Sequence, residues 1–251
     1  MVTGASSGIG KATARILANH GIRVILVARR LDLLDELKSK LDPLAPCHVM
    51  ACDLTDRRAL QAQLDLLPEA FSEVDILVNS AGLALGLHAA QETEWQDWAT
   101  MLSVNCVALS FLTHHFLPDM VTRDCGHIVN IGSIAGTYPY QGGNVYGATK
   151  AFVEQFTLNL KADLLGTSIR VTNIEPGMVQ DTEFSLVRFK GDEGRATGLY
   201  QGIEALKPDD IAENLWWVLA QPAHVNINRI EMMPVNQAPA RPAYCRNGNI
   251  D

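Results

Sequence analysis

Thr3-Gly4-Ala5-Ser6-Ser7-Gly8-Ile9-Gly10 follows a short β-branched start and runs directly into the first helical pattern. Glycines here let a backbone turn tightly and approach a pyrophosphate. The helix N-terminus behind them supplies free N–H groups and a partial positive charge. The spacing is G-x-x-x-G-x-G rather than G-x-G-x-x-G, a variant of the same phosphate-cradling logic. A glycine-rich turn without a ligand is the plain alternative, and the strand-before, helix-after setting argues against it.

Outward from this loop, short β-branched runs alternate with longer helical patterns. Strands are expected at 2–3, 23–28, 48–52, 75–79, 127–131, 169–174 and 226–233. Val24-Ile25-Leu26-Val27 is a continuous apolar run, the mark of a strand covered on both faces. Helices are expected at 8–19, 32–41, 56–67, 94 to about 117, 146–164 and 208–219. Gly21 suits the end of the first helix, Thr55 the cap of the third, and Pro208 with Asp209-Asp210 the start of the last. This order predicts an α/β fold, a single Rossmann-like doubly wound parallel sheet with helices on both faces. No repeat or linker divides the chain. Residues 1–251 therefore read as one dinucleotide-binding and catalytic domain, irregular at 180–206 and extended beyond Pro234 through Pro239 and Pro242.

The 251 residues are 47% hydrophobic and 19% charged, which suits a globular chain. The net charge of −8 argues against a nucleic-acid partner. No apolar stretch approaches the ~20 residues that span a bilayer, so no membrane partner is expected. The start lacks the basic and apolar regions of a secretory signal. Cys47, Cys52, Cys106, Cys125 and Cys245 are odd in number and dispersed, which favours a reducing, cytoplasmic setting. Metal binding is not expected. His114 and His115 are adjacent and diverge on a helix, and neither H-E-x-x-H nor paired cysteines occur.

The second strand ends at Ala28-Arg29-Arg30. A carboxylate at this place bonds an adenosine ribose hydroxyl, whereas an arginine accommodates a 2′-phosphate through charge-assisted bonds. Arg29 and Arg30 therefore favour NADP over NAD. Asp53, after the third strand, is placed either to accept from an adenine amino group or to cap the next helix.

Tyr146 and Lys150 stand four apart on a helical pattern, hence on one face. A phenol near pKa 10 is a poor base at neutral pH, and lowering it by ~3 units takes ~4 kcal/mol. An ammonium ~4 Å away supplies about that much at an effective dielectric of ~20, and an oxidised nicotinamide nearby would add positive charge. The tyrosine then becomes a proton shuttle, and Ser133, just past the fifth strand, can hold a substrate oxygen. Such a set suits hydride exchange at a hydroxyl-bearing carbon. Ser133 as a hydrolase nucleophile is the weaker reading, because Gly132-Ser133-Ile134-Ala135-Gly136 is not a G-x-S-x-G elbow.

The glycine loop, Asp53, Asn79-Ser80-Ala81-Gly82, Asn105, Ser133, Tyr146 with Lys150, and Pro176-Gly177 leading to Thr182 together resemble the short-chain dehydrogenase/reductase family. The resemblance implies a catalytic tetrad of Asn105, Ser133, Tyr146 and Lys150, with Asn105 fixing a water in a proton relay to Lys150. It implies NADP contacts from residues 4–10 (Gly4, Ala5, Ser6, Ser7, Gly8, Ile9 and Gly10), with Arg29, Arg30, Asp53 and Leu54 at the adenosine end. Asn79, Ala81 and Gly82, then Tyr146, Lys150, Pro176, Gly177, Val179 and Thr182, extend that set. It also implies a homo-oligomer, with a tetramer favoured. Only Met1-Val2 precede Thr3, so the central strand is expected to be short.

Within that family, Gly142 through Phe152, Thr182-Glu183-Phe184-Ser185, Val187 through Asp192 and Pro222 through Asn228 resemble the NADP-dependent 3-hydroxy acid dehydrogenases. The implied substrates are serine, allo-threonine, 3-hydroxyisobutyrate or 3-hydroxypropionate with its semialdehyde. Arg188 and Lys190 fall in the irregular segment, where this fold carries a closing lid, and a cation there could grip a substrate carboxylate. Each has a solvated loop charge as its alternative. Trp216-Trp217 reads as core or subunit contact. The rival functions are a reductase of neutral ketones or secondary alcohols and a non-catalytic NADP sensor. A methyltransferase on a similar sheet is disfavoured by Arg29-Arg30.

Overall fold

The computed structural model describes residues 1–239 and two short antiparallel strands, β8 (Cys245–Arg246) and β9 (Asn249–Ile250). The expected extension at Pro242 lies outside the described residues. In chain order the main elements are β1 (Val2–Thr3), α1 (Gly8–Asn19), β2 (Val24–Ala28), α2 (Leu31–Leu41), β3 (Cys47–Ala51), α3 (Arg57–Asp65), α4 (Glu69–Ser72) and β4 (Ile76–Asn79). Then come α5 (Trp95–Leu102), α6 (Leu109–Arg123), β5 (His127–Ile131), α7 (Asn144–Asp163), β6 (Arg170–Pro176), α8 (Phe184–Arg188), α9 (Glu193–Gly198), α10 (Pro208–Leu219) and β7 (Arg229–Met232).

Seven strands form one sheet in the order β3-β2-β1-β4-β5-β6-β7, every pairing parallel. Strand order reverses between β1 and β4, the place where open α/β sheets bind ligands beyond their strand ends. β1 is only two residues long, as expected, and still lies mid-sheet against both β2 and β4.

Alternation along the strands feeds two separate cores. On one face Val24, Leu26 and Val78 meet Ile16 of α1, Leu34 of α2 and Leu215 of α10. On the other, Ile25, Leu77 and Ile128 meet Leu60 of α3, Leu112 and Met120 of α6 and Leu160 of α7. Trp216 joins the first core and stacks on His20 at 3.7 Å, while Trp217 is exposed.

Several local expectations need correction. Asp56, not Thr55, caps α3 by accepting from the N–H groups of Arg58 and Ala59; Thr55 instead donates twice to Asp53. The sixth helical region runs through Pro118 to Arg123, with Thr122 Oγ1 donating to the Pro118 carbonyl. It continues from α5 through a π-helical stretch, Ser103–Ala108. The whole run Trp95–Arg123 is long and apolar enough to cross a membrane by length and composition, against the expectation from sequence. Here its buried side chains, Met101, Leu112, Phe116 and Met120 among them, pack inside the protein. The irregular segment at 180–206 contains α8 and α9.

Candidate active site

A cleft of about 960 Å³ opens beyond the C-terminal ends of β1, β2, β4, β5 and β6. Its floor at one end is the glycine loop. Gly4 and Gly8 adopt φ of +68° and +50°, which side chains disfavour. A Cβ at Gly10 would lie 2.3 Å from the Gly4 carbonyl oxygen, so helix and turn can meet this closely only through glycine. Ser7 precedes α1 without a side-chain cap, and the first turn has no acidic residue. The N–H groups and positive dipole end of α1 are therefore left for an anion. This cradle, with Arg29, Arg30, Asp53 and Leu54 along the same wall, fits a phosphorylated dinucleotide.

The other end holds Tyr146, Lys150 and Ser133. Lys150 and Tyr146 sit on α7, 6% and 7% exposed. Lys150 Nζ donates to the Ile131 carbonyl at 2.8 Å and lies 5.9 Å from the Tyr146 ring centroid. Burial lowers the ammonium to about 8. Burial also pushes the Tyr146 phenol up to about 12, against the downward pull of a Ser133 hydrogen bond and of Arg188. Lys150 was expected, with an oxidised nicotinamide beside it, to bring this phenol towards neutrality; among protein groups alone the desolvation of the phenolate outweighs such attraction.

Ser133 Oγ accepts from Ala135 N–H at 3.1 Å and faces the cleft after β5. Asn105 is 1% exposed and does not line the cleft. Its amide donates to the Leu83 carbonyl (2.8 Å) and to Thr149 Oγ1 (3.0 Å), and accepts from Leu83 N–H (2.9 Å). Both amide donors are thus engaged, within the π-helical stretch that joins α5 to α6. Gly82 lies against both groups: a Cβ there would be 3.3 Å from Lys150 Nζ and 3.4 Å from Asn105 Oδ1.

Arg188, at the end of α8, is 9% exposed. Its Nε donates to the Gly86 carbonyl (3.1 Å) and Nη2 to Tyr140 Oη (2.6 Å). The guanidinium carbon lies 5.4 Å from the Tyr140 ring and 5.5 Å from the Tyr146 ring. Among the described residues no carboxylate pairs with it. Lys190, two residues on, takes the solvated role and bridges to Asp97 at 2.9 Å. Phe184 closes over Tyr146 with ring centroids 5.7 Å apart.

Of the remaining expected contacts, Ala81, Pro176, Gly177, Val179 and Thr182 line the cleft. Ala5 and Asn79 do not. Ala5 is fully buried, and Asn79 donates to Asn130 Oδ1 (2.9 Å) inside the sheet, a structural position. Among the cleft residues that escaped the sequence reading, Tyr140 anchors Arg188, Gln237 accepts from Met178 N–H (2.9 Å), and Glu183 pairs with Arg30. Tyr140 stands six residues before Tyr146, a weak signal; Gln237 had none.

Comparison with known proteins agrees with this geometry. Residues 1–191 match the short chain dehydrogenase family model. The chain is 52% identical to an NADP-dependent 3-hydroxy acid dehydrogenase of Escherichia coli, covering 95% of each chain. It is 47% identical to the serine 3-dehydrogenase of Agrobacterium fabrum, covering 95% of this chain and 94% of that one. A solved closed form of serine dehydrogenase complexed with NADP+ superposes with a TM-score of 0.94, at 50% identity and 98% coverage of both chains. The chain belongs to the short-chain dehydrogenase family.

Proposed function

We propose that this protein is an NADP-dependent oxidoreductase acting on the hydroxyl-bearing carbon of a small 3-hydroxy acid. The observation that carries this reading is Arg188, a buried guanidinium that no carboxylate pairs with among the described residues, 5.5 Å from the Tyr146 ring. A desolvated cation so close to the acid/base group invites an anionic substrate, and its planar fork suits a carboxylate. The relatives named above act on, or are named for, substrates of this class.

NADP, held along the glycine loop, Arg29, Arg30 and Thr182, supplies the nicotinamide that exchanges hydride with the substrate carbon. Ser133 holds the substrate oxygen by a hydrogen bond. Tyr146 takes the hydroxyl proton in oxidation and returns it in reduction. Its phenol, near 12 in the surroundings of protein groups alone, needs further positive charge nearby to act as a base at neutral pH. Lys150 contributes an ammonium that burial has brought near 8, ready to relay the proton towards a water at Asn105. Arg188 sets the distance between carboxylate and hydroxyl, which selects a three-carbon spacing. Residues 1–251 act as one domain with its lid, in a cytoplasmic homo-oligomer for which a tetramer is the favoured form.

Replacing Arg188 by Leu tests the clamp. kcat/KM for serine, allo-threonine and 3-hydroxyisobutyrate should fall by about 10–100-fold, the worth of a buried charged hydrogen bond. A neutral secondary alcohol should lose far less. An equal loss for both classes would remove the carboxylate assignment and leave the neutral-alcohol reading standing.

A further inference from the structure

Arg30, which the reading above gives to the 2′-phosphate, is already engaged. Its Nη1 and Nη2 donate to Glu183 Oε1 (2.7 Å) and Oε2 (2.5 Å), and Nη2 also reaches Ser6 Oγ (3.2 Å). Glu183 belongs to the lid, 153 positions away in sequence. The pair thus closes across the mouth of the cleft, joining the end of β2 and the glycine loop to the start of α8. The preceding residue, Thr182, packs on Gly8: its methyl carbon lies 3.2 Å from where a Cβ would stand. Arg29 enters no ion pair among the described residues.

A guanidinium offers paired donors at its Nη1/Nη2 end and along its Nε/Nη side, and each such edge fits one carboxylate or one phosphate. Glu183 occupies the Nη1/Nη2 edge. A phosphate brought to the same edge must displace the carboxylate or share the fork with it as a like charge. We propose that Glu183 is an intramolecular competitor for the 2′-phosphate. A 2′-phosphorylated adenosine then releases this lid contact, whereas a 2′-hydroxyl leaves it in place. Glu183 so limits the preference for the phosphorylated cofactor and couples the adenosine end of the cleft to the lid. The inference rests on the NADP reading. Both side chains are about half exposed, so the pair contributes little to folding and can be altered safely.

The test uses adenosine nucleotides without nicotinamide, so that turnover plays no part. Binding of 2′,5′-ADP and of 5′-AMP, which differ only by the 2′-phosphate, is measured calorimetrically. The proteins are the wild type, Glu183→Gln, Arg30→Ala and the double variant. Glu183→Gln should tighten 2′,5′-ADP by about fivefold, the scale of an exposed charge pair, and change 5′-AMP by less than about twofold. On the Arg30→Ala background the same substitution should do nothing, because Glu183 acts through that guanidinium. Unchanged or weaker binding of 2′,5′-ADP overturns the proposal. So does equal tightening of both nucleotides, or tightening that persists without Arg30. A wild type that binds both nucleotides alike removes the NADP reading itself, and the proposal with it.

Discussion

The two ends of the cleft treat charge in opposite ways. At the Tyr146 end, groups less than a tenth exposed are pushed towards their neutral forms, the phenol up to about 12 and the Lys150 ammonium down to about 8. At the Arg30 end, mutual hydrogen bonding holds the guanidinium above and the Glu183 carboxyl below their ordinary values, so both stay charged. Water decides the difference. Where it is excluded, desolvation dominates and a group can exchange its proton near working pH once a ligand adds charge. Where it is admitted, pairs form and part at small cost. The buried end is suited to chemistry and the open end to binding and release.

The sharpest way to break this contrast is Tyr146→Phe. Oxidation of the hydroxy acid should drop by about 10²–10⁴-fold, the usual worth of a positioned acid/base, while cofactor binding survives. Unchanged turnover in a folded sample would end the assignment. The same variant serves as a reference for a tyrosinate difference titration of the ligand-free protein. No signal from Tyr146 should emerge below about pH 10, the ordinary phenol value. Early ionisation would mean that Lys150 and Arg188 outweigh burial.

At the open end the expected effect is smaller. Arg29→Ala combined with Arg30→Ala should narrow the NADP-over-NAD ratio of kcat/KM by about tenfold, chiefly by weakening NADP, since charge-assisted phosphate bonds are lost. An unchanged ratio would move the 2′-phosphate elsewhere.

The smallest effect extends the burial rule outside the cleft. Glu175 is buried in β6, and burial, with Glu154 and Glu231 nearby, raises it to about 7 despite Arg229 at 2.7 Å. Its folded value lies above its ordinary one, so its stabilising contribution is full below about 4.5 and is lost as pH rises through about 7. Glu175→Gln does not titrate. Its Tm relative to wild type should therefore improve by several °C as pH rises from 4.5 to 8, the direction the raised value dictates. A difference that stays flat across that window would show that Arg229 keeps the carboxylate charged throughout.

Much of this was legible before any coordinates. The strands were readable because a doubly covered parallel sheet demands continuous apolar runs, and Val24–Ala28 has one. Tyr146 and Lys150 were readable because one helical turn joins them. Arg188 was chosen over Lys190 as the substrate cation with no support from spacing, the two being two residues apart with the same charge. Only packing turned one onto Tyr140 and Tyr146 and the other out to Asp97. Asn79 was readable as important but not as buried against Asn130.

The sequence by itself determined the parallel sheet, the tight glycine loop before α1 and the pairing of Tyr146 with Lys150 on one helical face, because each rests on contacts within a few residues or on strand periodicity. The tertiary structure alone decided the pairing of Arg30 with Glu183, the seat of Arg188, and the sign of the Tyr146 shift. Those depend on which distant segments meet and on how much water they expel, and neither quantity is written in local spacing.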